Sequence, residues 1–364
     1  MIKSNRKTVI IIFCLGCLLL GCKAERNVEK PAFREYTVKN IQVFLSAEDT
    51  SFLGRPTLIK AVPDGLFFVD EGHYQITKVD TEGNHLLSFG NRGRGPGEIQ
   101  SITGFWPFKS EYLVYDYNSF KFLTFDYRGK LVNEKVLNEN PVIPGSEQSI
   151  PITLDALSSD KLLIPTGGRN GSLFAIADLV SGDVTYAGIA IGDFVKAYNN
   201  EEVKQALSRG EIPDIMVNLV MLSSSSTAIY SFQQVTGVLE KYTHKGEQVW
   251  EKELNIPVQS DLFDRIAKYN VEVGSGDIRR LFIYARAMDA LEGGVALLLN
   301  LPDEQPVTVA WIPEDGSKID LIKVEGISLD GHGFMEGFTV SPDQQRAFYL
   351  ERSSGTIYQF KWPL

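Results

Sequence analysis

Four histidines occur in the 364 residues, His73, His85, His244 and His332. They are the side chains able to exchange protons near neutral pH or to hold a transition metal. None stands in an H-x-x-x-H or HExxH spacing, so no paired metal ligands are offered. Acyl transfer would call for a serine on a G-x-S-x-G elbow, which is missing, and Ser223 to Ser226 reads as a polar turn. Asp70 and Asp116 each close an apolar run. They have two readings: a carboxylate pair across neighbouring units, or two residues that hydrogen-bond their own turns, as aspartate commonly does. The segment Phe89 to Glu98, FGNRGRGPGE, combines glycines that permit close backbone approach with a fixed φ at Pro96. Its amides could face a phosphate, yet the lysine of a P-loop and a following helix are both missing. Arg92 and Arg94 within it are either receivers of an acidic ligand or solvated caps on a sheet edge. The candidate ligand-binding set is Arg92, Arg94, His73, Arg169 and His332. No catalytic residue, metal ligand or cofactor follows from these patterns.

Such residues need a scaffold, and internal repeats describe one. Leu66 to Gly83, Tyr112 to Gly129 and Ile229 to Gly246 align without a gap, with Asp70 and Asp80 at the places of Asp116 and Asp126. Gln233 and Thr243 hold those places in the third copy. Looser copies lie at Leu162 to Gly182 and Val295 to Gly316, and a sixth begins at Arg346. Each reads as three strands rich in β-branched and aromatic residues, bounded by Asp-first, Gly-last turns. A further apolar run precedes each copy: Thr57–Val62, Ile102–Phe108, Ile152–Leu157, Ile215–Leu222, Leu281–Ala287 and Gly333–Val340. Four strands repeated six times predict an all-β fold, a six-bladed β-propeller with four-stranded antiparallel blades. The last unit stops at Leu364 one strand short, so Tyr36 to Leu45 is expected to supply its outer strand and cover an open edge. Asn199 to Gly210 and Asp261 to Tyr269 break the pattern as short helical insertions.

In a propeller the strands run outward from the channel. The crossings between blades share one face with the turns joining second to third strands. The long connections, Asn138 to Ser149, Gly192 to Pro213, Ile256 to Arg280 and Gly326 to His332, are nearly all crossings. The enlarged turn Pro165 to Ser172, which carries Arg169, falls on the same face, and long loops on a rigid scaffold are where binding resides.

The chain opens with Lys3, Arg6 and Lys7, then an apolar run, Val9 to Leu20, too short for a comfortable membrane span. Leu19-Leu20-Gly21-Cys22 resembles the lipobox of bacterial lipoproteins, which implies cleavage before Cys22 and lipid on that residue. An ordinary signal peptide or an uncleaved anchor are the competing readings. Cys14 and Cys17 would leave with the leader, so no thiol would remain for a disulfide, a metal or a nucleophile. The expected organisation is a signal peptide at 1–21, a flexible tether at 22–35 and a propeller at 36–364. Lys23, rather than Asp, after the cysteine suits outer-membrane sorting, on the periplasmic side or surface-exposed. A net charge of −10 excludes a basic nucleic-acid footprint.

The corner at Phe89 to Glu98 resembles the G-x-G-P-G-E/Q-F corner of NHL-type propellers and of the TolB-like six-bladed propeller lipoproteins common among Bacteroidetes. Ile99 stands where those have Phe, and the corner occurs once. The resemblance implies the fold, and a lipid-anchored envelope module that binds or scaffolds a protein, peptide or glycan partner through the long-loop face. The alternative is a propeller hydrolase or lyase working at the channel mouth.

Overall fold

The computed structural model describes residues 32–48, 50–136, 154–192, 199–257, 261–272, 283–302, 305–328 and 337–364. Six sheets form the six blades of a β-propeller. Numbered along the chain, the blades have inner strands Pro56–Val62, Ile102–Pro107, Asp155–Ser158, Val220–Ser224, Ala285–Leu291 and Gly337–Val340. Three further antiparallel strands follow outward in each. The second strands are buried along their whole length in Gly65–Asp70 and Gly294–Leu299, because both faces of the sheet pack on neighbouring blades. That double burial is why they read as continuous apolar runs rather than as alternating ones. Outermost strands such as Leu131–Val136 have one edge in solvent and are half exposed.

Aromatic rings bind blade to blade. Tyr112 of blade 2 lies 5.0 Å from Phe67 and 5.2 Å from Phe89 of blade 1, edge-on to the first and stacked on the second. Such pairs add about 0.5–1.5 kcal/mol each beyond the area they bury. The gap-free repeats keep their register in space: Leu66 pairs with Val79, Tyr112 with Phe125 and Ile229 with Tyr242. Asp80 and Asp126 each accept two turn amides on one carboxylate oxygen, and Thr243 does the same through its hydroxyl.

The N-terminal segment departs from the expected single strand. Ile41–Ser46 does complete blade 6, antiparallel to Thr356–Lys361. Ala32–Val38 instead joins blade 5 as a fifth strand, parallel to Lys318–Val324. The short Lys39-Asn40 link therefore steps between two sheets, and one segment covers the outer edges of both. The expected tether at 22–35 loses its last four residues to this strand, while 22–31 lie outside the described residues.

Both anticipated helices are present. Helix α1, Asn200–Ser208, is capped by Asn199, whose side chain accepts the Glu201 amide at 2.9 Å. Ile215–Leu222, read as one strand, begins as the short helix α2, Asp214–Val217, and becomes strand only at Val220. Helix α3, Leu262–Glu272, buries Leu262 and Ile266 in the same core cluster as Val203 and Leu207 of α1.

Truncations separate the two N-terminal strands. A chain starting at Lys39 should still melt cooperatively, with its midpoint lowered by several degrees, because only the added fifth strand is lost. A chain starting at Ala47 leaves blade 6 open and should lose the single sharp transition in circular dichroism.

Candidate functional site

The turns between second and third strands share one construction in blades 1, 2, 4 and 6. Each has four residues: Glu71–Tyr74, Tyr117–Phe120, Gln234–Gly237 and Arg352–Gly355. The third turn residue bonds the polar side chain that ends the second strand. Ser119 donates to Asp116, Thr236 to Gln233 at 3.0 Å and Ser354 to Glu351 at 2.6 Å. In blade 1 the place is taken by His73, whose Nδ1 lies 3.2 Å from Asp70 Oδ2. His73 is thus a turn residue in a serine's position, half-exposed and held by a buried carboxylate.

Asp70 and Asp116 also fasten the incoming crossing. Asp70 accepts from the amides of Gly54, Arg55 and His73, and Asp116 from those of Gln100 at 2.8 Å and Ser101 at 2.9 Å. Both are fully buried. Burial pushes the Asp70 carboxyl up, but the three amides outweigh it and leave it below the usual carboxylate range. The paired-carboxylate reading therefore fails, since each aspartate is filled by donors of its own blade.

Between these two turns lies a cleft of about 140 Å³ on the crossing face. Val69, Ile99 and Ile102, all buried, lie behind it, and Tyr74, Gln100, Ser101 and Asn118 give it a mostly polar lining. Arg55 and Glu71 also reach it and pair with each other at 2.7 Å. Tyr74 stands at φ 55° and Phe120 at φ 51°, where blades 4 and 6 place Gly237 and Gly355. A bulky residue with positive φ is an outlier, costing roughly 1–2 kcal/mol relative to glycine. The Arg92 guanidinium sits over the Tyr74 ring, 4.6 Å from its centre.

The glycine-rich corner is closed on itself. Asn91–Arg92 pairs in parallel with Glu98–Ile99, and the Glu98 carboxylate accepts the Gly95 amide at 2.7 Å. A Cβ at Gly93 would meet that carboxylate and displace it from the Gly95 amide. The Gly97 amide goes to Glu134, while Lys121 bonds the Arg94 and Gly95 carbonyls. Two amides that might have met a phosphate are thereby occupied from within. Of the expected site residues, His73 and Arg92 flank Tyr74. Arg94 is exposed on the same corner, and Arg169 lies on a short 3-10 turn in blade 3. His332 and Cys22 lie outside the described residues.

The inner strands hold a second polar constellation, one residue from each blade. Asp155 accepts from Trp106 Nε1 and from Ser224 Oγ, both at 2.7 Å, linking blades 2, 3 and 4. Asp289 accepts from Lys60 Nζ at 2.5 Å, and from Thr339 Oγ1 and the Val340 amide at 2.9 Å, linking blades 5, 6 and 1. Ser223 and Ser224 belong to this ring as strand residues, with Ser223 accepting the Ala290 amide, which corrects their reading as a plain turn. Lys60 keeps 37% of its side-chain surface although protein encloses it, as a group facing a channel does. Burial pulls its ammonium down, and the charges of Asp289 and Asp155 raise it further than that. Burial holds the Asp155 carboxyl above the usual range despite Lys60, Ser224 and Trp106. Among the described residues no cluster of three or more His, Cys, Asp or Glu is arranged to hold a metal ion.

With this geometry in hand, the comparisons are consistent. Residues 39–146 match the model of a family described as a 6-bladed beta-propeller (DUF5128). No curated protein matches the sequence. A protein of Bacteroides fragilis NCTC 9343 described as exported is similar over 90% of this chain and 99% of its own, at 11% identity and a TM-score of 0.56. A DUF4221 member from Bacteroides vulgatus is similar over 89% and 96%, at 11% identity and a TM-score of 0.53. These likenesses show the fold.

Sequence reasoning passed over Tyr74, Gln100, Asn118 and the inner-strand ring. Two signals were present. Tyr74 and Phe120 share an alignment column with Gly237, and Lys60, Asp155 and Asp289 are lone charges inside apolar runs.

The ring gives a signed prediction. A carboxyl raised above its unfolded value near 3.8 stabilises the fold most at acid pH, and that contribution is lost as pH rises through the folded pKa. Asp155→Asn should therefore be as stable as the parent or more so at neutral pH, and should lose this group's share of the pH dependence. Asp289→Ala leaves Lys60, Thr339 and the Val340 amide without their acceptor. It should cost about 3 kcal/mol, the low end for a broken buried pair because Lys60 retains channel water. Urea unfolding across pH measures both.

Proposed function

We propose that the protein is a lipid-anchored binding module of the bacterial cell envelope, engaging its partner through the crossing face between blades 1 and 2. One observation carries the reading: Tyr74 and Phe120 are kept at positive φ where equivalent turns use glycine. Strain maintained at adjacent turns of one face marks that face as selected for something other than stability. The cleft beside Tyr74 supplies the concavity that a binding site needs. The carboxylates that line it are engaged, Asp70 by backbone amides and Glu71 by Arg55, and His73 beside Tyr74 is held as a turn residue, which favours recognition over proton transfer.

The anchor rests on the lipobox-like Leu19-Leu20-Gly21-Cys22 and the basic and apolar run before it. The exported description of the Bacteroides fragilis protein supports an envelope address, and Lys23 supports the outer membrane. No helix among the described residues is long and apolar enough to cross a membrane. The glycine-rich corner supports kinship with TolB-like and NHL-like propellers. Cys22→Ala should shift the protein from the membrane to the soluble fraction and abolish lipid labelling.

A photo-crosslinking residue at Asn118, on the cleft, should capture envelope material in intact cells. The same probe at Lys245, in a turn of the opposite face, should not. Equal capture from both positions, or capture from Lys245 alone, would count against this face.

A further inference from the structure

The polar side chains that make the inner-strand ring are bonded within the protein, whereas three of those lining the cleft are not. Gln100, Ser101 and Asn118 line it, and none of their side chains bonds another residue of the described structure. The charged groups beside them are already engaged. Arg55 pairs with Glu71, and Asp70 is filled by backbone amides. The unengaged side chains that line the cleft are thus neutral, able both to donate and to accept, and set beside the Tyr74 ring.

Volume narrows the ligand further. About 140 Å³ is well below a drug-sized site of ~300–1,000 Å³. One six-membered ring fits. Resting on the binding role assigned to this face, we infer that the cleft takes a single ring of a neutral carbohydrate. A sugar ring offers an apolar C–H face to the Tyr74 ring, and hydroxyls around its rim to Gln100, Ser101 and Asn118. Arg92 over the Tyr74 ring fixes that ring as a platform. An acidic ligand would have to take Arg55 from Glu71 or Arg92 from the Tyr74 ring. An extended peptide would need free backbone amides. Those of Gly54, Arg55, Gln100 and Ser101 are given to Asp70 and Asp116.

The test is an array of neutral oligosaccharides probed with the full chain, with acidic glycans and short peptides as comparison arms, followed by saturation-transfer NMR on each hit. At least one neutral glycan should bind at millimolar affinity or better. Tyr74→Ala and Asn118→Ala should each weaken it by at least about tenfold, with the circular-dichroism spectrum of the folded chain retained, while Lys245→Ala leaves binding intact. No neutral glycan bound, or binding insensitive to both cleft substitutions, overturns the inference. An acidic glycan or peptide that binds and is lost with Tyr74→Ala also overturns it, yet leaves the binding role of the face standing. Failure of the Asn118 crosslink would instead remove that role itself.

Discussion

Six sheets set radially must meet at their inner strands, and the whole molecule depends on how that junction is satisfied. Here it is a ring of one polar residue per blade, joined as two hydrogen-bonded arcs, Trp106–Asp155–Ser224 and Lys60–Asp289–Thr339. Lys60 bridges them electrostatically, because Asp155 also raises its pKa. Burying charges at such a point is costly unless each is paired and hydrogen-bonded; Lys60 and Asp289 are paired, and Asp155 is hydrogen-bonded to Trp106 and Ser224. The arrangement specifies which inner strand lies beside which. An apolar junction would leave that choice to shape alone. Closure at the rim is a separate matter, handled by an N-terminal segment that serves blades 5 and 6 in turn.

The charged residues of this ring are committed to one another and to their neighbours, and recognition is assigned outward, to the crossing face. The staples at Asp70 and Asp116 make that face rigid, drawing each crossing onto its turn through buried carboxylates. On such a base the backbone that carries Gln100 and Ser101 is fixed through its amides, which lowers the entropy lost on binding. The glycine corner contributes by fixing Arg92 against Tyr74, a supporting part for residues that sequence reasoning had given the direct contact.

The architecture was legible because its signals are local and repeated. Turn glycines, strand-ending aspartates and a constant spacing recur in the blades, and the short last unit pointed to closure by the N-terminal segment. The fifth strand was not legible, since its parallel pairing with Lys318–Val324 depends on which sheet edge the chain meets after the ring has closed. Likewise α2 hides in an apolar run that suits a strand equally well. Asp70 was seen as a turn residue, but its hold on the Gly54 and Arg55 amides is a contact between distant parts of the chain. Tyr74 was visible in the alignment, yet its meaning requires the backbone angle, which composition does not carry.

The division between a locked channel and a strained, available cleft turns most directly on Tyr74. Its stability effect can be measured by urea unfolding of Tyr74→Gly beside the parent. Relief of the positive φ should offset the lost ring contacts with Arg92, leaving the unfolding free energy unchanged or raised by up to about 1 kcal/mol. A loss of more than about 1 kcal/mol would show that Tyr74 is there to pack, and would contradict the assignment of this turn to recognition.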